Sequence, residues 1–162
     1  MVVTIMPSIK ELLRQLRKQY PDYDFVAGDE FRWSGASSTI VVAANAATAD
    51  AAYILHELAH AILQHNDYHL DVELLRCESQ AWNYAHETLA PRHKVPVSIN
   101  LIEDALDSYR EWLHARSACP NCGQTGLQNK TSTYTCLNCR CSWHPNDARQ
   151  CALRRYKLPL SS

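Results

Sequence analysis

The stretch His56-Glu57-Leu58-Ala59-His60 constrains this chain more than any other part of it. It sits in a helix-favouring, apolar run, with Ala49-Asp50-Ala51-Ala52-Tyr53-Ile54-Leu55 ahead of it and Ala61-Ile62-Leu63 behind it. Thr48 or Asp50 is available as N-cap. Histidines four positions apart on a helix lie on one face, where they can share a tetrahedral metal ion. Glu57, one position on, can reach a water on that metal and act as general base. The plain alternative is two surface histidines with no metal. Against it stands the cost of burying two imidazoles and a carboxylate on a largely apolar helix with nothing to pair them.

A second constraint lies near the other end. Cys119-Pro-Asn-Cys122 and Cys136-Leu-Asn-Cys139 form two CxxC pairs separated by thirteen residues. Each pair can make a tight turn whose amides point at the sulfurs, and four thiolates close a tetrahedral structural site. Such a closed site leaves no open position, so folding rather than chemistry is expected of it. The polar, β-tolerant residues between the pairs suit a zinc-ribbon hairpin. Cys141 or His144 could replace Cys139 as the fourth ligand, although CxxC spacing favours Cys139. Cys77 and Cys151 read as ordinary buried or free thiols.

Net charge is −1 over 162 residues, but the charge is unevenly placed. Residues 1–114 carry 9 lysines and arginines against 16 acidic residues, a net −7, while residues 115–162 carry 7 against 1, a net +6. Opposite characters in the two parts predict two domains, 1–114 and 115–162, with different partners. No apolar run reaches the roughly 18 residues of a membrane span. The start of the chain lacks a basic segment followed by a sustained apolar one, so no secretory signal is read there. With CxxC pairs read as metal ligands rather than disulfides, a cytoplasmic location is expected.

Between these landmarks the pattern predicts an α+β fold. Ser8 with Glu11 reads as a capping box opening a helix to Tyr20, stopped by Pro21. Asp24–Ala27, Phe31–Trp33 and Thr39–Ala43 read as short strands, with 34–37 turning between the last two. The HELAH helix is expected to fade near Asn66. A further helix from Asp71 to Pro91 places Leu74, Ala81, Ala85 and Leu89 on one stripe, with Glu78 among them. A carboxylate there needs a partner, either the metal or Arg76 or Arg92. Pro91–Pro96 reads as a loop. A last helix over Ile99–Leu113 follows, with Asn100 and Glu103 as capping box.

The string YILHELAHAIL, followed by ESQAWNYAHETLAP, resembles the ImmA/IrrE family of zinc metallopeptidases over about residues 8–91. Glu78, Ala81, Tyr84, Ala85, Leu89 and Pro91 fall in the family's places for a glutamate, small residues, an aromatic, a leucine and a proline. The resemblance implies a zincin-like domain with His56, His60 and Glu78 as zinc ligands and Glu57 as general base. It also implies cleavage of a cytosolic regulatory protein, often a helix-turn-helix repressor. Trp82 stands where the family commonly has asparagine, and the C-terminal ribbon is an addition. The combination of HExxH and ribbon is similar to SprT-like proteases too, which act on DNA-attached proteins and use a third histidine. His65 or His69 would have to fill that place, yet His65, five residues past His60, is rotated off the metal-facing side of a straight helix. The metzincin pattern fails, because Leu63 and Asn66 occupy its glycine and last histidine.

The expected activity is therefore a zinc endopeptidase carrying two zinc ions, one catalytic and one structural, with a protein substrate. Tyr53, His86, His93 and Tyr84 are candidates to polarise the scissile carbonyl, and Asp67 or Asn83 to support the ligand imidazoles. Lys130, Arg140, Arg149, Arg154, Arg155 and Lys157, interleaved with Tyr134, Trp143 and Tyr156, could hold a nucleic-acid backbone and stack bases. An acidic protein or the chain's own acidic part would explain the same charge. The alternative of another class is a non-catalytic zinc-ribbon adaptor for nucleic acid or protein. Intact Glu57 argues against it, since a pure binder needs no base.

Overall fold

The computed structural model describes residues 6–147 and 153–159. The fold is α+β and divides into two compact units, Met1–Asp67 with Cys77–Glu103 and Tyr68–Arg76 with Asp104–Ser162. Among the described residues no helix is long and apolar enough to cross a membrane.

In the first unit, α1 (Ile9–Gln19) opens as its capping residue dictates. The Ser8 hydroxyl accepts from the Glu11 N–H at 3.2 Å. One face buries Leu12 and Leu16, and the other carries an exposed Glu11–Arg14 pair at 2.7 Å. The sheet that follows has the order β1-β3-β2, from β1 (Asp24–Gly28), β2 (Arg32–Ser34) and β3 (Thr39–Ala43). β3 is central, parallel to β1 and antiparallel to β2, and buries Ile40 and Val42. In the β2–β3 turn the exposed Asn66 side chain lies over Gly35, its Oδ1 1.9 Å from where a Cβ would stand, so a larger residue there would have to displace it.

α2 (Ala51–Ile62) carries the HELAH residues and is buried on most of its circumference. Asp50 precedes it without a side-chain capping bond; its carboxylate instead accepts from the Ala47 N–H at 2.8 Å, closing the single 3-10 turn Thr48–Asp50. The helix ends earlier than its apolar pattern suggests, because Gln64 turns left-handed at φ 55°.

α3 (Asp71–Tyr84) continues through a π-turn at Ala85–Leu89 into α4 (Ala90–His93). The expected loop from Pro91 is thus helical as far as His93, and left-handed Lys94 at φ 56° ends it. Pro91 has no N–H for the Glu87 carbonyl and crowds it, and the wider turn sits just ahead of that defect. α5 (Ile99–Ser117) starts from Ser98, whose hydroxyl accepts from the Leu101 N–H at 3.1 Å, and not from Asn100. It also runs four residues past Leu113, the end expected from its apolar side.

The second unit holds the antiparallel sheet β4-β5-β6-β7, formed by Leu127–Lys130, Thr133–Thr135, Ser142–Pro145 and Arg155–Lys157. Its core is Cys119, Tyr134, Cys136 and Trp143, with the Tyr134 and Trp143 rings stacked 5.6 Å apart. Asp71, at the start of α3, is buried in this unit and accepts from Arg116 Nε at 2.7 Å and from the Tyr134 hydroxyl at 2.6 Å. The Asp71 N–H donates to Gln128 Oε1 at 2.7 Å. These bonds tie the start of α3 to the cysteine-bearing sheet; residues 68–76 and 104–114 group with that sheet, so that a cut after residue 114 does not separate the two units.

Candidate metal centres

Two turns of α2 and one turn of α3 converge on a small buried volume. His56 Nε2 lies 3.1 Å from His60 Nε2 and 3.0 Å from Glu78 Oε2, and His60 Nε2 lies 3.5 Å from the same oxygen. Ligands about 2.0–2.1 Å from a tetrahedral zinc ion stand about 3.3 Å apart. The observed edges bracket that value, and all three side chains are buried. Arg76 and Arg92 are not the partners of Glu78; the imidazoles are.

The electrostatics suit a ligand set. Burial holds the His56 imidazolium down to about 4, against the opposing pull of Glu78, so the ring is neutral at ordinary pH. Burial alone would raise the Glu78 carboxyl, but hydrogen bonds from His56 and His60 outweigh it and hold the group well below the usual carboxylate range. Two imidazoles and one carboxylate would give a zinc centre with a fourth position open.

Glu57 stands beside this group rather than in it. Its Oε2 accepts from the backbone N–H of Trp33, on edge strand β2, at 2.7 Å. Burial pushes the Glu57 carboxyl up to about 7, partly offset by His60 and by the Trp33 amide. A carboxyl poised near neutrality can both take and return a proton. The Trp33 contact is made by a main-chain group and therefore left no trace in the residue pattern.

Support for the imidazoles comes from residues that sequence reasoning did not assign to it. His65 Nδ1 lies 3.0 Å from His60 Nδ1, on the side of the ring away from the metal group. Trp82 stacks on the His56 ring at 4.1 Å, whereas His56 Nδ1 is buried with no hydrogen-bond partner. Asp67 and Asn83 are exposed. His69 is outside the metal group, and its N–H donates to Glu73 at 2.8 Å. Of the carbonyl-polarising candidates, Tyr53 packs between Phe31 and Trp82, and His86 Nδ1 bonds the Val97 carbonyl at 2.7 Å. His93 is buried beside Tyr20, and Tyr84 is half-buried.

In the second unit the sulfurs of Cys119, Cys122, Cys136 and Cys139 gather, with Cys119–Cys139 at 3.6 Å and Cys122–Cys136 at 3.5 Å. A tetrahedral zinc–thiolate site has sulfurs about 3.8 Å apart. The knuckles form through Gly123 N–H to the Cys119 carbonyl and Arg140 N–H to the Cys136 carbonyl, both at 2.9 Å. Gly123 at φ 76° and Arg140 at φ 61° take the left-handed conformation such turns require. Amide donors, from Gln124 to Cys122 and from Cys141 to Cys139, lower those thiols. At Cys119 the Cys122 and Asn121 amides outweigh burial and lower it too. The Cys139 amide favours Cys136 ionisation, yet burial and the neighbouring thiols push it up to about 11. Four clustered thiols cannot all ionise without a cation among them.

The alternatives to Cys139 fall away on position. Cys141 is outside the sulfur group, and exposed His144 bonds the Ser132 carbonyl at 2.6 Å. Cys77 is half-buried and forms no disulfide, and Cys151 lies outside the described residues.

The expected partner face is only partly exposed. Lys130, Arg140 and Arg154 are exposed, as are Tyr156 and Lys157. Trp143 is not available for stacking, being fully buried with its indole N–H on the Arg116 carbonyl at 2.9 Å. Tyr134 is likewise buried, and the Arg155 guanidinium donates to the Ala118 carbonyl. The hairpin has too few apolar residues to fold without its aromatics, so packing claims them. Arg149 lies outside the described residues.

No protein-family model, curated protein or solved structure matches the chain.

Proposed function

We propose that this protein is a zinc-dependent endopeptidase with a zincin-like catalytic domain and an appended zinc ribbon. The observation that carries the reading is the 3.0–3.5 Å triangle of His56, His60 and Glu78 atoms, with Glu57 beside it. A zinc ion held by these three residues supplies a Lewis acid and an open position for water. His56 and His60 present their Nε2 lone pairs, and Glu78 balances charge. The Trp33 N–H anchors Oε2 of Glu57, leaving Oε1 to take the proton of the attacking water and pass it to the leaving amine. Cys119, Cys122, Cys136 and Cys139 would hold a second, structural zinc ion that stabilises the small sheet around them.

The substrate class follows from the ImmA/IrrE resemblance: a cytosolic regulatory protein, with DNA-bound regulators among the candidates. The test is zinc content and cleavage of repressor-like and DNA-bound proteins by the parent and by Glu57→Gln. The variant is expected to keep its zinc and lose cleavage; cleavage that survived would overturn the mechanism. A non-catalytic adaptor draws support only from the exposed Lys130, Arg140 and Arg154, and it leaves Glu57 without a role.

A further inference from the structure

α2 ends in a Schellman turn. The His65 N–H bonds the His60 carbonyl at 3.0 Å, the Gln64 N–H bonds the Ala61 carbonyl at 3.1 Å, and Gln64 between them is left-handed at φ 55°. Glutamine pays a steric penalty in that conformation that glycine would not. The turn reverses the chain and lays residue 65 back over the last helical turn. His65 therefore escapes the rotation that would carry it away on a straight helix. Its Nδ1 arrives 3.0 Å from His60 Nδ1, with ring centroids 5.1 Å apart and planes inclined at 70°.

An imidazole that offers its Nε2 lone pair to a metal carries its proton at Nδ1, and that N–H needs an acceptor to fix the ring. His60 Nε2 faces His56 and Glu78, so with a metal held there His60 Nδ1 would be the donor and His65 Nδ1 the acceptor. In that arrangement His65 Nδ1 offers its lone pair, and the ring proton sits at Nε2. We infer that His65 is the positioning residue of the metal centre, an imidazole acceptor doing for His60 what a carboxylate or carbonyl does in most zinc sites. His56 has no such partner on Nδ1 and depends on the Trp82 face instead. The inference rests on the metal-centre reading proposed above.

The test uses the full chain and zinc alone as probe. His65→Ala is expected to weaken zinc at this centre about 10- to 100-fold in chelator competition, the range found for lost outer-shell partners. The four-cysteine centre should be untouched. His65→Asn, whose Oδ1 takes the place of Nδ1, should recover affinity to within a few-fold of the parent. Nitrogen-15 chemical shifts of the unmutated protein give a readout independent of any variant's folding, with the His65 proton expected at Nε2 and the His60 proton at Nδ1. A parent that binds two zinc ions while His65→Ala holds both equally well would overturn this inference alone, as would a His65 protonated at Nδ1. A parent that binds only the zinc ion lost in Cys136→Ser would overturn the metal-centre reading, and the role of His65 with it.

Discussion

The indole of Trp82 lies flat against the imidazole of His56, ring centroids 4.1 Å apart and planes within 19°. Trp82 is itself edge-on to Tyr53, which stacks on Phe31, so an aromatic column fixes the plane of a ring whose Nδ1 has no hydrogen-bond partner. Trp82→Ala is expected to cost about 3–5 kcal/mol, the range for deleting a large buried aromatic. Trp82→Phe, which keeps a ring under His56, should cost less and keep most of the zinc affinity. Denaturant unfolding and chelator competition on the same samples check both; equal zinc affinity in the two variants would mean that the stack does not orient the ligand.

Glu57 should make the metal-free protein less stable as pH rises. Below about pH 4.5 its carboxyl is protonated in the folded and unfolded chain alike; between there and about 7 the unfolded chain releases the proton while the folded one retains it. Each pH unit in that window removes about 1.4 kcal/mol, and the loss is constant above it. Glu57→Gln does not titrate, so in chelator its stability relative to the parent should climb from pH 4.5 to 7 and level off near a gain of roughly 3 kcal/mol. A difference that stays flat across that window would contradict the half-buried, poised carboxyl.

Removing ligands should separate the two centres. Glu78→Ala is expected to lower bound zinc by one ion, leaving the cysteine centre filled, and Cys136→Ser to do the converse. Metal analysis after gel filtration reads the counts. Loss of both ions in Glu78→Ala would mean that the centres do not load independently.

Asp71 accepts from both Arg116 and Tyr134 in the second unit, and all three side chains are buried. Asp71→Ala leaves the buried Arg116 charge without its carboxylate, with the Asn146 carbonyl and the Trp112 ring still beside it, so a destabilisation of about 3–5 kcal/mol is expected. Asp71→Asn keeps one acceptor oxygen and should lose less. Both are checked by denaturant unfolding of the zinc-loaded protein; a loss below about 1 kcal/mol in Asp71→Ala would show that the buried pair is not essential there.

Much of the fold is local and could be read along the chain. Ser8 caps α1, the three short strands fall within a residue or two of their expected bounds, and Glu78 stands on the buried stripe of α3. These features depend on capping, period and composition over one or two turns. The helical passage through Pro91 could not be read this way, because a π-turn trades one defect for another only in a packed context. At the start of α5 the capping box expected from Asn100 and Glu103 gives way to Ser98, whose hydroxyl reaches the Leu101 N–H.

What the residue order determined by itself is the chemistry on offer: imidazoles four apart with a glutamate between them, a lone carboxylate on an apolar stripe, and four thiols in two tight turns. Helical and knuckle geometry makes each of those sets nearly rigid, so spacing alone was informative. Tertiary structure decided what surrounds them. It turned His65 back onto His60, set the Trp33 amide on Glu57, laid Trp82 against His56 and buried Trp143 in a core instead of offering it to a partner. Each of those contacts depends on a chain reversal or on packing between distant segments, where the cost of leaving groups unpaired is settled by the whole fold and not by any local pattern.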